Sequence, residues 1–193
     1  MGIFLVGLVF FLGVHSVSIV SPRWRDAQVA RLGARGWKGL YTLVSIAGLA
    51  LLVWGYGVAR LQPLVLYTPP RALQHFALLL LVPVFPLFVA PYFPGRIAAA
   101  ARHPQLLAVK IWATAHLLAN GTLVDVVLFG AFLAWAVADR ISFNRRPARP
   151  VPGAPPRPAN DVIVVVLGLA LYALFLWGAH QWLTGVSPLA SLQ

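Results

Sequence analysis

The stretch Arg102–Arg140 reads RHPQLLAVKIWATAHLLANGTLVDVVLFGAFLAWAVADR. It holds two apolar runs, 104–119 and 122–139, separated only by Asn120 and Gly121. Asn and Gly tolerate the left-handed backbone of a tight turn, so the stretch predicts two antiparallel helices joined by a short reversal. Thr122, followed three residues later by Asp125, has the form of a capping box with Asp in place of Glu, opening the second helix. Inside the first run sits His116, an imidazole in surroundings otherwise as apolar as lipid.

The rest of the chain is equally apolar. A soluble domain carries about a quarter charged residues; this chain carries 10%, with 60% hydrophobic residues and a mean hydropathy of +0.82. That composition is that of an all-α integral membrane protein. The length suits one transmembrane domain over 1–193, with little left for a soluble module. The chain has no cysteine, which excludes disulfides, iron–sulfur ligation and covalently attached haem. It has no glutamate either. Its acids are Asp26, Asp125, Asp139 and Asp161, so the glutamate-built four-carboxylate di-iron site of helix bundles cannot be formed.

A membrane-crossing helix needs about 20 apolar residues. Six runs qualify, at 2–20, 37–59, 72–93, 104–119, 122–139 and 161–183, and predict a bundle of six transmembrane helices. The first run has no basic residue ahead of it and no small-residue cleavage site behind it, so it reads as a retained span. Loop one carries Arg23, Arg25, Arg31, Arg35 and Lys38; loop three Arg96 and Arg102; loop five Arg140, Arg145, Arg146, Arg149 and Arg157. Loop two has only Arg60 and Arg71, and loop four has none. Twelve basic residues against two place the odd loops in the cytoplasm and both termini on the outer, periplasmic side. Lys110 snorkels toward the same inner surface. The net charge of +11 is thereby assigned to membrane lipid and not to nucleic acid.

Two segments depart from plain spanning helix. The third run contains Pro83, Pro86, Pro91 and Pro94, each interior proline removing a backbone hydrogen bond, so this helix should kink or end early. The basic segment RRPARPVPGAPPRPAN, 145–160, should be an extended or disordered tether against anionic lipid.

Polar groups within lipid depth are costly and tend to face a bundle interior. Here they are His15, His75, Lys110, His116, Asp125, Asp139 and His180. His15 is flanked by Gly13 and Ser16, which admit a neighbouring helix or a flat ligand. Trp112, His116 and Asn120 follow at i, i+4 and i+8 on one helix face. His103 precedes Pro104 at the start of that helix. A deep metal site in a chain without thiolate or glutamate must rest on histidine. Two histidines suit the axial positions of haem better than the three or four protein ligands of zinc. The competing reading is structural: an intramembrane histidine also serves simply by hydrogen-bonding a neighbouring helix. His75 and His180, near the outer ends of their spans, read as interfacial residues, and Asp125 as a helix-start residue.

The motifs GVHS, RLGARGWKGLYTLVSIAGLALLVWGYG, LYTPP and RHPQLLAVKIWATAHLLANGTLVDVVLFGAFLAWAVADR together resemble the NnrU family of bacterial inner-membrane proteins. That family is linked to nitrite and nitric oxide metabolism in denitrification and is related to the plant 15-cis-zeta-carotene isomerases, which carry haem b on histidines. The resemblance implies haem b with His116 and His15 as iron ligands and catalytic residues. It also implies His103 in a supporting or interfacial place, and cis–trans isomerase-like or redox chemistry on a hydrophobic small molecule. Trp112 and Asn120 join the cofactor-binding set by sharing the His116 face. With helices rising about 1.5 Å per residue, His15 and His116 differ in depth by roughly 6 Å. His75 lies closer in depth to His116 and is the reserve ligand. Two other functions stay open: a non-enzymatic accessory protein of nitrogen-oxide metabolism, and a small transporter with a proton path through Asp125 or Asp139.

Overall fold

The computed structural model describes residues 1–146, 149 and 151–189. Within them the chain is helical apart from turns and one isolated antiparallel bridge, Val65 to Thr122. Four helical stretches are long and apolar enough to cross a membrane: Gly2–Val20, Pro22–Ala59, Arg71–Val89 and Asn160–Thr184. The chain gathers into two compact units, one formed by Met1–Leu64 with Ile141–Arg146, the other by Val65–Arg140 with the described residues beyond 146.

The first unit is built on a helical hairpin, α1 (Gly2–Val20) and α2 (Pro22–Ala59), reversing at Ser21. Its helices approach backbone to backbone. A Cβ at Gly7 would fall on the backbone of Leu52, one at Gly55 on Phe4, and one at Gly48 within 2.9 Å of the Phe11 nitrogen. Apolar helices in lipid gain little from burial alone, so glycine-permitted close packing is what holds such a pair. Phe4, Leu8 and Leu52 are buried along the seam. The basic segment expected as loop one is instead helical. It forms the first part of α2, broken at Gly33, whose φ of 71° and ψ of 161° lie outside the helical region. Only glycine takes that conformation cheaply.

The second unit packs α3 (Arg71–Leu81), α4 (Val84–Val89), α5 (Arg96–Ala101), α6 (Pro104–Ala119), α7 (Leu123–Ser142) as far as Arg140, and α8 (Asn160–Leu174). A π-helical turn, Phe175–Ala179, carries α8 into α9 (His180–Thr184). The expected proline break falls between α3 and α4. There the Val82 amide bonds to the Leu79 carbonyl at 3.3 Å, one residue short of the helical partner. The carbonyl of Leu78 is thereby released, and the Tyr172 hydroxyl of α8 donates to it at 2.8 Å. A backbone group freed in a membrane helix must find such a partner. Gly168 completes the contact, since a Cβ there would collide with Pro86.

At the other end of α4, Asp161 receives the Arg96 and Ile97 amides of α5 at 3.0 and 3.1 Å, which satisfies two orphan donors of that helix. The Asn160 amide donates to the carbonyls of Pro94 and Pro155. The described part of the proline-rich segment is therefore fastened, with Ala154 N–H on the Tyr92 carbonyl and Arg157 N–H on that of Pro94. It is docked on the second unit and is not a loose tether. Residues 147, 148 and 150 of that segment lie outside the described residues.

The hairpin α6–α7 forms as its sequence predicts, but its turn is not left-handed. Asn120 has φ −132° and ψ 132°, and Gly121 is not among the residues of positive φ. Gly121 serves close approach instead: a Cβ there would strike the carbonyl of Tyr67. Its own carbonyl accepts the amides of Leu66 and Tyr67 at 2.8 and 3.1 Å, so the loop before α3 is pinned on the turn. The capping box forms as expected. The Thr122 hydroxyl donates to Asp125 at 2.6 Å, and the Asp125 amide returns to that hydroxyl at 3.4 Å.

Candidate functional site

His116 occupies the last turn of α6. Its Nδ1 lies 2.8 Å from the Trp112 carbonyl. A carbonyl can only accept, so Nδ1 carries the proton, and Nε2 keeps the lone pair that a metal or a proton donor would use. The ring stacks on Phe129 of α7, with centroids 4.5 Å apart and planes 28° apart. Trp112 lies 5.1 Å away, and Phe129 and Phe132 meet the Trp112 face edge-on at 5.0 and 5.4 Å. His116 is thus set in a wall of flat aromatic surfaces, oriented by its own helix.

A second imidazole lies near this one. His180 lies with its ring centroid 6.3 Å from that of His116 and its plane only 24° off parallel. Its Nδ1 also points at a backbone carbonyl, that of Val186 at 2.8 Å, and the Thr184 hydroxyl stands 3.2 Å from the same nitrogen. The reason His180 reaches this place is the π turn directly ahead of it. One extra residue in a helical turn rotates everything beyond by about 100° relative to an uninterrupted helix. Gly185, at φ 75°, ends the helix in the left-handed conformation and brings Val186 back over the ring. His180 is the residue that the sequence did not attach to His116. A five-residue π turn has no period to betray it.

Polar groups close the cluster on the turn side. Asn120 donates its side-chain amide to the His116 carbonyl at 3.0 Å and its main-chain amide to the same oxygen at 2.9 Å. It thus terminates α6. The Tyr67 hydroxyl donates to the Asn120 carbonyl at 2.7 Å and to that of Leu117. Burial and the nearby Asp125 carboxylate push the Tyr67 phenol above its ordinary range, so it stays protonated and donating. Asp125 is buried and engaged by Thr122, the helix-start role expected of it.

The remaining candidates are distributed elsewhere. His15 lies in the α1–α2 unit, its Nδ1 2.6 Å from the Phe11 carbonyl and its ring 4.3 Å from Phe11 and 5.3 Å from Tyr41. It shares with His116 the same self-oriented geometry, bonding to the carbonyl four residues back. His103 is the N-cap residue of α6, as its place before Pro104 indicated. His75 sits on an exposed face of α3. Asp139 is buried within α7.

Among the described residues no group of three or more His, Cys, Asp or Glu side chains is gathered for a metal ion. The donor set is a pair. Metal–nitrogen bonds near 2 Å put the centroids of two imidazoles that share one ion about 6 Å apart, and the His116–His180 spacing of 6.3 Å meets that requirement. Two histidines are the donor type that haem iron takes.

The fold and site define a class: a helical membrane protein whose polar interior centres on paired, backbone-oriented imidazoles. Residues 3–188 match the family described as NnrU protein, nearly the whole chain, and the chain belongs to the NnrU family. No curated protein and no solved structure matches it.

Proposed function

We propose that this protein is a haem-b-binding membrane protein of the bacterial inner membrane, acting on a hydrophobic small molecule. The observation that carries the reading is the His116–His180 pair, two imidazoles protonated toward backbone carbonyls and 6.3 Å apart. His116 and His180 would hold the iron. His15, which the family resemblance also implies as a ligand, keeps the same orientation toward its own helix within its own unit. A bound haem supplies a Lewis-acid or one-electron centre, the chemistry suited to isomerising a polyene double bond, as in the related carotene isomerases, or to redox turnover. The chain's own residues do the rest. Trp112, Phe129 and Phe132 offer an apolar aromatic lining, Asn120 fixes the end of α6, and Tyr67 keeps a proton at the turn.

The six-span topology with both termini on the periplasmic side belongs to the same proposal. The excess of basic residues in the odd loops supports it. Of the two further helices it requires, α6 has 16 residues and is short for a full crossing, and α7 carries Asp125 near one end and Asp139 and Arg140 near the other. A second reading, an accessory protein of nitrogen-oxide metabolism without chemistry of its own, is favoured by the fact that each of these imidazoles already serves its own helix end. The visible spectrum of detergent-purified protein from haem-replete cells separates them. Haem binding gives a Soret band that shifts on reduction, lost in His116→Ala and altered in His180→Ala or in His15→Ala according to which is the second ligand. Colourless, iron-free protein, or a spectrum indifferent to His116→Ala, overturns the haem reading.

A further inference from the structure

We propose that residues 22–38 form a collar that binds anionic phospholipid headgroups. Its position follows from the register of the hairpin. Gly7 packs on Leu52, Phe4 on Gly55 and Phe11 on Gly48, so the end of α1 at Val20 comes opposite residue 39 or so. All that lies between, 21–38, extends past the paired part of the two helices. The break at Gly33 divides this segment into a short helix, 22–32, and the start of the long one. The short helix folds back on its continuation. The rings of Trp24 and Trp37 meet at 6.1 Å, and the Arg25 guanidinium stands 5.9 Å from the Trp37 ring.

The surface so made is both basic and apolar. Arg23, Arg31, Arg35 and Lys38 are exposed, while Arg25 is bonded to Asp26 at 2.9 Å, the single acid of the segment. Among them Val20 is 80% exposed, Trp24 51% and Leu32 44%. A helix for bulk water would not interleave such side chains, and a spanning helix would not carry such charge. Together they suit the headgroup layer, where aromatic and aliphatic side chains dip toward the acyl chains and basic ones meet phosphate. The net charge of the segment selects acidic over zwitterionic headgroups. This assignment stands whether or not haem is bound.

The chain's lack of cysteine makes the test direct. The full-length protein carrying Ala30→Cys, labelled with an environment-sensitive fluorophore, is placed in nanodiscs of phosphatidylcholine containing trace headgroup-quencher lipid, either phosphatidylglycerol or phosphatidylcholine. Quenching by the phosphatidylglycerol form is expected to be several-fold stronger, and the preference to collapse at high salt and in Arg23→Gln/Arg31→Gln/Arg35→Gln. The salt arm needs no variant, so a misfolded triple variant does not spare the proposal. Equal quenching by both lipids at low salt overturns it. So does a response to soluble poly-glutamate with no lipid preference, which would assign the surface to an acidic protein.

Discussion

Inserting one alanine after Gly178 should take the site apart without touching either histidine. Gly178 lies in the π turn, and a Cβ placed on it would meet nothing within 4 Å, so an added residue finds room locally. One more residue, wound as α-helix, turns His180 by about 100°. Side chains reach roughly 5–6 Å from a helix axis, so that rotation carries the His180 ring about 8 Å sideways, more than its present 6.3 Å separation from His116. The assay uses the cysteine-free background. His116→Cys/His180→Cys, treated with a thiol crosslinker spanning about 5 Å, should form an intramolecular bridge, read as protection from a mass-tagged maleimide. The same pair with the added alanine should not. Deleting Gly178 is the control: four α-wound residues in place of the five of the π turn leave His180 on the same face, and the bridge should still form. Crosslinking that is equally efficient with and without the added alanine refutes the assignment of helix winding through the π turn as what aims His180.

Gly55→Leu should open the α1–α2 hairpin, because the added side chain would fall on the Phe4 backbone; overpacking of this kind costs about 1–3 kcal/mol or more, seen as earlier loss of helicity on titration with SDS. Tyr172→Phe removes the donor to the Leu78 carbonyl and should destabilise the second unit by about 0.6–1.7 kcal/mol, measured in the same titration, while Tyr41→Phe, in the other unit, should leave that unit unchanged. The Tyr67 phenol, raised above its ordinary value in the folded protein, contributes stability that is complete below about pH 10 and lost as pH rises through its folded pKa. Alkaline unfolding should therefore begin at lower pH in wild type than in Tyr67→Phe, once each is normalised to its stability at pH 8.

Much of this was legible in residue order, and the parts that were not share a cause. The helical hairpin, the Thr122–Asp125 capping box and the break near Pro83 all rest on local chemistry, where a few side chains act on adjacent backbone, and each appears in the structure. The conformation of Asn120-Gly121 was misread. Glycine there is required by the approach of Tyr67, more than fifty residues away in sequence, and not by its own φ. The basic segment after α1 looked like a loop because its charges hide helical potential, which the break at Gly33 then bounds. The docking of the proline-rich segment depends on the carbonyls of Tyr92 and Pro94 on a distant turn. The approach of His180 to His116 is not written in helical spacing, because it depends on the π turn ahead of it. His116, with Trp112 on its face, was found because its neighbours recur at helical spacing.

The hydroxyl that Tyr172 offers to Leu78 also sets an order of events during biosynthesis. The two residues are 94 apart in the chain. The proline-bent helix α3–α4 leaves the ribosome with an open carbonyl at its bend, and the tyrosine that closes it emerges only after α5, α6 and α7 have been made. At the elongation rates of cells, about 5–20 residues per second, that interval lasts several seconds. Through it the bend must be sheltered by water or by the insertion machinery. The last long helix is therefore the clasp of the second unit, and a chain halted before residue 172 would expose the bend that the finished protein covers.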